Sequence, residues 1–214
     1  MHLYASTIFL LVVLPRVVLA LVSNWRASRL TQHFPLDLDQ PYFRKLNDSI
    51  GVATEGMLRV LPYSFTVDEP RHKGLGQIAT MLFGEQGRVM LRPSTSYGEE
   101  AQDVLRGTDL NDPQVNITAV LFNLTATPEK ENHGAFLDYL VQSSTRGIAV
   151  LLDESSYLER AGEQADHGAR LAERIALWQQ FCQFHKTTAT LVNLLDPSTH
   201  PLDAGVGLKL SVAT

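Results

Sequence analysis

The sequence has one cysteine, Cys182, among its 214 residues. A single thiol cannot form an intrachain disulfide framework or the paired-thiol patterns that bind zinc. We therefore expect a reducing compartment, because disulfide-stabilised domains belong to oxidising ones. The phosphate-cradling pattern G-x-x-x-x-G-K-[ST] and the nucleophile pattern G-x-S-x-G are also missing. The sequence thus favours neither nucleotide hydrolysis nor a serine nucleophile.

Acidic residues are absent before Pro35, where the charged residues are Arg16, Arg26 and Arg29. From Pro35 onward, 15 Lys and Arg face 23 Asp and Glu, which gives this body a balance of −8 within a whole-chain charge of −5. The overall content of 44% hydrophobic and 19% charged residues is that of an ordinary globular chain, which disfavours wholesale disorder. An acidic body without a basic stripe also disfavours nucleic acid as a partner, because phosphate binding needs clustered Lys and Arg.

Residues 3–22 form a continuous apolar stretch in which thirteen of twenty residues are Leu, Ile, Val or Phe. As a helix this stretch would span about 30 Å, the hydrocarbon thickness of a bilayer. The summed apolar transfer energy outweighs the cost of Arg16, which lies past the midpoint and can extend to the interface. We expect a transmembrane helix at 1–24 with the bilayer as a partner and, by the positive-inside rule, a cytoplasmic body. The predicted anchor residues are Arg16, Trp25, Arg26 and Arg29.

Two other interpretations of this stretch are less favoured. A cleaved signal peptide normally has a basic start and a shorter core, whereas this stretch lacks the first and carries Arg16 inside the second. A buried core helix is rarely this long and continuously apolar. The glycosylation patterns at Asn47, Asn116 and Asn123 would matter only in a secretory lumen.

The remainder of the chain predicts a connector at 25–50, an α/β domain at 51–196 and a loose or lightly docked tail at 197–214. Apolar runs alternate with amphipathic stretches in the domain, which is typical of a three-layer Rossmann-like fold with a mostly parallel sheet. The five predicted strands are 57–63, 88–92, 117–124, 147–152 and 189–195. The four predicted helices are one from Pro70 to Gly84, one begun by Ser96 and Glu99, one opened by Thr127 and Pro128, and one over 166–185.

Ligands of open α/β sheets bind beyond the carboxyl ends of the strands. Candidate site residues at those positions are Ser64, Asn123, Asp153, Glu154 and Asn193. Asp153 and Glu154 end an apolar strand as the acids of a Walker B strand do, where one acid holds magnesium and the other orients water. The alternative is that these polar residues cap the following turns and helices, a role that Ser, Asp and Asn commonly fill.

The histidines do not have the spacing of metal ligands. His133, His167, His185 and His200 lack the H-x-x-x-H or cysteine companions that place ligands on one face. His133 and His185 are expected to be satisfied residues at the edge of apolar helix faces, and Cys182 to be a core residue. We expect no metal and no cofactor.

Six stretches resemble the C-terminal part of a bacterial inner-membrane protein family, the domain-of-unknown-function family 2868. They are LLVVLPRVVLALVSNWRASRL, PLDLDQPYFRKL, RVLPYSF, AVLFNLTATPEKENHGAF, LLDES and RLAERIALWQQF. The resemblance covers about residues 10–195 and assigns no active-site residue. It implies further membrane segments upstream of Met1, since members are about twice this length, and a companion GTPase of the Era-like class.

Two functions therefore stay open. The leading hypothesis is a membrane-anchored cytoplasmic domain that works by binding, as a companion or regulator of a membrane-associated GTPase. The alternative is a nucleotide- or small-ligand-binding enzyme that uses the acids at the strand ends.

Overall fold

The computed structural model describes residue 16 and residues 56–161, 167–202 and 208–211. The fold below belongs to the compact unit Pro41–Thr214. Its five strands are β1 (Met57–Pro62), β2 (Arg88–Leu91), β3 (Ile117–Asn123), β4 (Ala149–Asp153) and β5 (Ala189–Val192). The predicted five-stranded sheet is confirmed. Strands β3 and β4 are nearly all apolar because both faces of a parallel sheet are covered by other elements.

All neighbouring strands of the sheet are parallel, in the order β2-β1-β3-β4-β5. The chain goes outward from β1 to β2 and then returns past β1 to form β3. The connections therefore diverge between β1 and β3, which makes the carboxyl end of this pair the topological switch point, where doubly wound sheets bind their ligands.

The helices match the predicted pattern, with three additions. They are α1 (Glu69–Phe83), α2 (Ala101–Val104), a π-helical turn (Lys130–Gly134), α3 (Ala135–Ser143), α4 (Ser155–Ala161), α5 (His167–Phe184) and a 3₁₀ turn (Pro197–Thr199). Asp68 caps α1 by accepting the backbone N–H of Arg71. Gly84 follows the last residue of α1 as its C-terminal cap, at the stop that the sequence pattern predicted. The additions are α4, which directly follows β4, the π-helical turn that opens α3, and the 3₁₀ turn in the C-terminal segment.

Two apolar clusters lie on opposite faces of the sheet, because successive strand residues point to opposite faces. Ala119 and Leu121 of β3 pack with Leu75 and Ile78 of α1 on one face. The other face is formed by Phe122, with α3 and with Trp178 of α5. Helices on both faces of the sheet make the three layers that the alternating pattern predicted.

The described part of the predicted C-terminal tail is docked. Leu202 and Leu208 are buried in the cluster beneath α1. Ser211 forms an antiparallel bridge with Ile148, in which the two residues exchange backbone hydrogen bonds of 3.0 and 2.8 Å. Two buried leucines and one backbone bridge thus hold the described part of this segment against the rest of the domain.

The predicted membrane helix and connector lie outside the described residues, apart from Arg16, which is helical and exposed. Trp25, Arg26 and Arg29 therefore receive no structural account. Within the described ranges, no helix is both long enough and apolar enough to cross a bilayer.

Helix α1 packs closely against the chain that follows β5. Glycine is therefore the only residue type that fits at position 74. A Cβ atom at position 74 would lie 1.9 Å from the backbone oxygen of Leu194, whereas a Cβ atom at Gly76 would meet nothing within 4 Å. We expect Gly74→Ala to destabilise the fold by about 1–3 kcal/mol through overpacking. Gly76→Ala should instead stabilise it by about 0.5–1 kcal/mol, because alanine favours the helix. Urea unfolding of both variants checks this pair, and equal stabilities would contradict the packing argument.

Candidate functional site

The carboxyl edge of the sheet holds all five predicted site residues, on four different strands. Asn123 and Asp153 are register partners at the ends of β3 and β4. Glu154 follows Asp153 and donates its backbone N–H to Val192 of β5. Ser64 lies beyond β1, on the far side of β3, where its backbone N–H bonds Thr95. The structure thus places the residues of β3, β4 and β5 on adjacent strand ends, and Ser64 on the opposite side of β3, at the end of β1.

Asp153 is fully buried at the end of β4, and its carboxylate accepts three hydrogen bonds from neighbouring parts of the chain. Its Oδ1 accepts the backbone N–H of Leu194 at 3.0 Å and that of Ser155 at 3.1 Å. Its Oδ2 accepts the Ser155 hydroxyl at 2.7 Å. The carboxylate therefore ties the end of β4 to the start of α4 and to the chain leaving β5.

Arg71 of α1 reaches the same cluster from the neighbouring helix. Its Nε donates to Ser155 Oγ at 3.0 Å and lies 3.8 Å from Asp153 Oδ2. Its terminal nitrogens donate to Asp68, Ser156 and Glu159. Ser155 Oγ therefore lies between the two charged groups, accepting from the guanidinium and donating to the carboxylate.

Burial and charge act in opposite directions on these two groups. Burial raises the pKa of Asp153, and the hydrogen bonds from Ser155 and Leu194 and the charge of Arg71 counter it only in part. Burial alone would lower the pKa of Arg71, but the hydrogen bonds and charges of Glu159 and Asp68 outweigh it and leave the pKa raised. Arg71 thus stays charged, while ionised Asp153 is held at an electrostatic cost.

The other predicted site residues hold local structure. Asn123 Oδ1 accepts from the backbone N–H and hydroxyl of Thr125 at 2.9 and 2.8 Å. Asn193 Oδ1 accepts two backbone N–H groups, from Leu195 and Asp196, both at 3.1 Å. Glu154 Oε1 lies 2.9 Å from His200 Nε2 and so fastens the C-terminal segment. These contacts favour the capping alternative over a ligand site at β4 and β5.

Aromatic side chains occupy the switch point, at the ends of β1 and β3. The His133 ring is surrounded by Tyr63 at 5.0 Å, Phe122 at 5.4 Å and Trp178 at 5.4 Å between ring centroids. His133 belongs to the π-helical turn, a form often found at functional sites. The sequence predicted an edge residue here, but the structure buries His133, with 2% of its surface exposed. Its place at the switch point depends on strand order, so no sequence signal could have found it.

Hydrogen bonding fixes the protonation of this histidine. Nδ1 of His133 accepts the backbone N–H of Glu129 at 3.2 Å. Burial lowers the pKa of His133, and the nearby charge of Glu129 counters this only in part. The ring is therefore neutral near pH 7 and carries its proton on Nε2. Perturbed groups of this kind cluster at functional sites.

Tyr97 lies at the protein surface beside the buried His133 ring. Its hydroxyl donates to Glu129, which also accepts a 2.9 Å hydrogen bond from Asn132. These two bonds lower the pKa of Glu129, so it remains a carboxylate. The Tyr97 ring is 54% exposed and lies edge-on to His133, at 6.3 Å. The switch point thus presents an exposed aromatic ring, held by a carboxylate above a buried neutral histidine.

Metal binding and thiol reactivity can also be judged from the described residues. Across residues 56–161, 167–202 and 208–211, no three His, Cys, Asp or Glu side chains lie close enough to hold a metal ion. Cys182 is fully buried, as predicted for a core residue, and burial raises the pKa of its thiol to about 11. A thiol of this kind is a poor nucleophile because the thiolate is scarce near pH 7.

Ser155 should matter more to stability than its neighbour Ser156. Ser155→Ala removes the donor to Asp153 and the acceptor for Arg71 Nε, both buried, and should cost about 1–3 kcal/mol. Ser156→Ala removes one 3.2 Å contact at a half-buried position and should cost under about 1 kcal/mol. Urea unfolding measures the free energy of unfolding of both variants. Equal losses in the two would contradict a larger stabilising contribution from the buried Ser155 hydrogen bonds.

Asp153 should make stability depend on pH. Because its pKa is raised in the folded state, folding favours the protonated carboxyl. That contribution is complete below the ordinary aspartate pKa of about 3.9 and is lost as pH rises through the raised value. Asp153→Asn cannot titrate, so its unfolding free energy relative to wild type should increase over this window. Unfolding at a series of pH values tests the sign, and a difference that falls as pH rises would contradict it.

Comparison with known proteins adds no relative. No protein-family model matches the chain, and no curated protein matches it either. The resemblance to the domain-of-unknown-function family 2868 therefore stays a prediction, and the functional argument rests on the geometry of the carboxyl edge.

Proposed function

We propose that this protein is a membrane-anchored domain that acts by binding a partner protein at the switch-point edge of its sheet. The observation that carries the proposal is the Tyr97–Glu129–His133 cluster. Ligands of doubly wound sheets bind at this point. Here the buried rings of Tyr63 and His133 fill the switch point, and the 54% exposed Tyr97 beside them is the surface that a partner can contact.

The chemistry of the cluster suits protein recognition. Tyrosine is enriched at interface hot spots, because its ring supplies contact area and its hydroxyl a polar handle. The Glu129 carboxylate holds Tyr97 in place, which lowers the entropy cost of using it. The acids that support the enzymatic alternative, Asp153 and Glu154, are engaged with Ser155, Leu194 and His200, so they favour a structural role.

The cellular setting of the proposal comes from the sequence. The apolar stretch 3–22 supports a single membrane span in this chain, and the arginines that follow it support a cytoplasmic body. The family resemblance adds the bacterial inner membrane and a membrane-associated GTPase as the partner. No feature supports nucleic acid as a partner, since the body carries a balance of −8.

Co-purification from membranes tests the partner. Full-length tagged chain, extracted in mild detergent, should recover the companion GTPase of the Era-like class. Tyr97→Ser should lower recovery at least about tenfold, because a hot-spot side chain contributes about 2 kcal/mol or more. The matched control is Leu210→Ser, since Leu210 is 45% exposed and lies beside the Ser211–Ile148 bridge at the other end of the strands. Repeated absence of the GTPase, or equal recovery with Tyr97→Ser, would contradict the proposal.

A further inference from the structure

Exposed carboxylates are concentrated around Tyr97 at the switch-point edge. Residues 94–105 contain three acidic residues and no Lys or Arg, and residues 127–141 contain three acidic residues and one lysine. All six carboxylates are exposed. Asp103 and Asp138 already bond an arginine and a histidine, whereas the other four form no ion pair with a described residue. We call these four the acidic rim: Glu99, Glu100, Glu129 and Glu131.

Rim glutamates from both segments lie beside the same aromatic rings. Glu129 accepts from Tyr97 and Asn132 through Oε2, so its Oε1 has no hydrogen-bond partner among the described residues. Burial raises the pKa of Tyr63, and the charges of Glu129 and Glu99 raise it further, which places both carboxylates near that ring. The one lysine, Lys130, has its ammonium 5.5 Å from the centroid of a phenylalanine ring on α5. The described residues thus leave the negative charge around Tyr97 largely unpaired.

A buried hydrogen-bond donor lies beside this rim. His133 is 2% exposed, its Nδ1 accepts the N–H of Glu129, and its Nε2 therefore carries the proton. No described residue accepts a hydrogen bond from this Nε2–H. The rings around His133 are aromatic, and the exposed one is Tyr97. Because a buried donor without an acceptor is costly, the donor favours a ligand that brings an acceptor to the switch point.

An extended ligand suits the rim better than a single ion does. No three His, Cys, Asp or Glu side chains of the described ranges lie close enough to hold a metal ion, so the rim carboxylates are spread along the edge. A polypeptide segment can carry several positive charges at such a spread. It also carries backbone carbonyls, which are the acceptors that His133 lacks.

We propose that the partner presents a basic polypeptide segment to the acidic rim, with an arginine against Tyr97 and Glu129 and a backbone carbonyl on His133 Nε2–H. A guanidinium stacks on aromatic rings and forms paired hydrogen bonds with a carboxylate, and Tyr97 and Glu129 offer both side by side. Complementary charge also speeds association and disfavours acidic partners. This inference rests on the proposed function, since it names the partner chemistry of the same edge.

Fluorescent peptides test the proposal. The full-length chain, held in nanodiscs of uncharged phosphatidylcholine, is titrated with a short peptide that carries several arginines and with the same peptide carrying citrulline at those positions. Citrulline keeps the shape of arginine and removes its charge. Fluorescence anisotropy should show the arginine peptide bound at least about tenfold more tightly, with the difference shrinking at high salt. Equal binding of the two peptides would overturn the proposal.

Three variants place the binding on the molecule. Glu129→Gln keeps an oxygen that can accept from the Tyr97 hydroxyl but removes the charge, so it should weaken the arginine peptide about threefold. Tyr97→Ser should weaken it about two- to fivefold, through loss of the ring. The matched control is Glu85→Gln, exposed before β2 at the amino ends of the strands, which should leave binding unchanged. Equal losses in Glu129→Gln and Glu85→Gln would show an effect of net charge alone and would overturn the site.

Nuclear magnetic resonance tests the hydrogen bond of His133. In the chain labelled with ¹⁵N-histidine, the Nε2–H proton of His133 should move downfield when the arginine peptide binds, because it gains an acceptor. The citrulline peptide at the same concentration should leave it in place. An unmoved resonance with saturating arginine peptide would contradict the contact assigned to His133.

Adding the unlabelled peptides to the co-purification separates this inference from the proposed function. Displacement of the recovered partner by the arginine peptide, but not by the citrulline peptide, supports both. A partner whose recovery depends on Tyr97 but resists the arginine peptide keeps the proposed function and overturns the basic segment. Binding of the arginine peptide at Tyr97 and Glu129 without any recovered GTPase keeps the basic-segment site and contradicts that partner.

Discussion

The buried carboxylate of Asp153 is the contact on which the carboxyl edge of this fold depends. A charge that is fully removed from water is tolerated only when hydrogen bonds and a counter-charge surround it. Asp153 obtains them from Ser155, from the backbone of Leu194 and from Arg71 of the adjacent helix. One side chain thus joins β4, α4, the chain leaving β5 and α1, and α1 also packs closely against Leu194 at Gly74.

The two halves of the carboxyl edge have different chemistry. At β4 and β5, the polar side chains bond backbone groups and the C-terminal segment, so their hydrogen-bonding capacity is used inside the protein. At β1 and β3, aromatic rings surround His133, and Tyr97 remains exposed above them. The side chains that resembled a catalytic strand end thus bond other parts of the protein. The half without a sequence motif carries the exposed ring on which the proposed function rests.

Charge is distributed in the same uneven way. The body from Pro35 onward carries a balance of −8, yet its last long helix ends in a stretch without acids, where Phe184 and Lys130 meet. The net charge of the chain alone would have hidden this division.

The sequence by itself determined the class of fold and most of its elements, because apolar periodicity and caps act over a few residues. It predicted all five strands and α1, α3 and α5 within a few residues, and it predicted a buried Cys182. It did not predict α4, since Ser155 and Ser156 directly follow a strand and their local pattern continues the polar strand end. It also did not predict the π-helical turn, where Gly134 accommodates the close approach of the His185 ring.

Tertiary structure decided which side chains meet, because strand order and helix docking join residues far apart in the chain. The pairing of Arg71 with Ser155 and the burial of His133 between Tyr63 and Trp178 are of this kind. The sequence located polar residues at the strand ends, and only the folded chain determined whether their oxygens face a ligand or the backbone. The physical reason is that the hydrogen bonding and the pKa of a carboxylate depend on the groups around it, and those groups come from distant parts of the sequence.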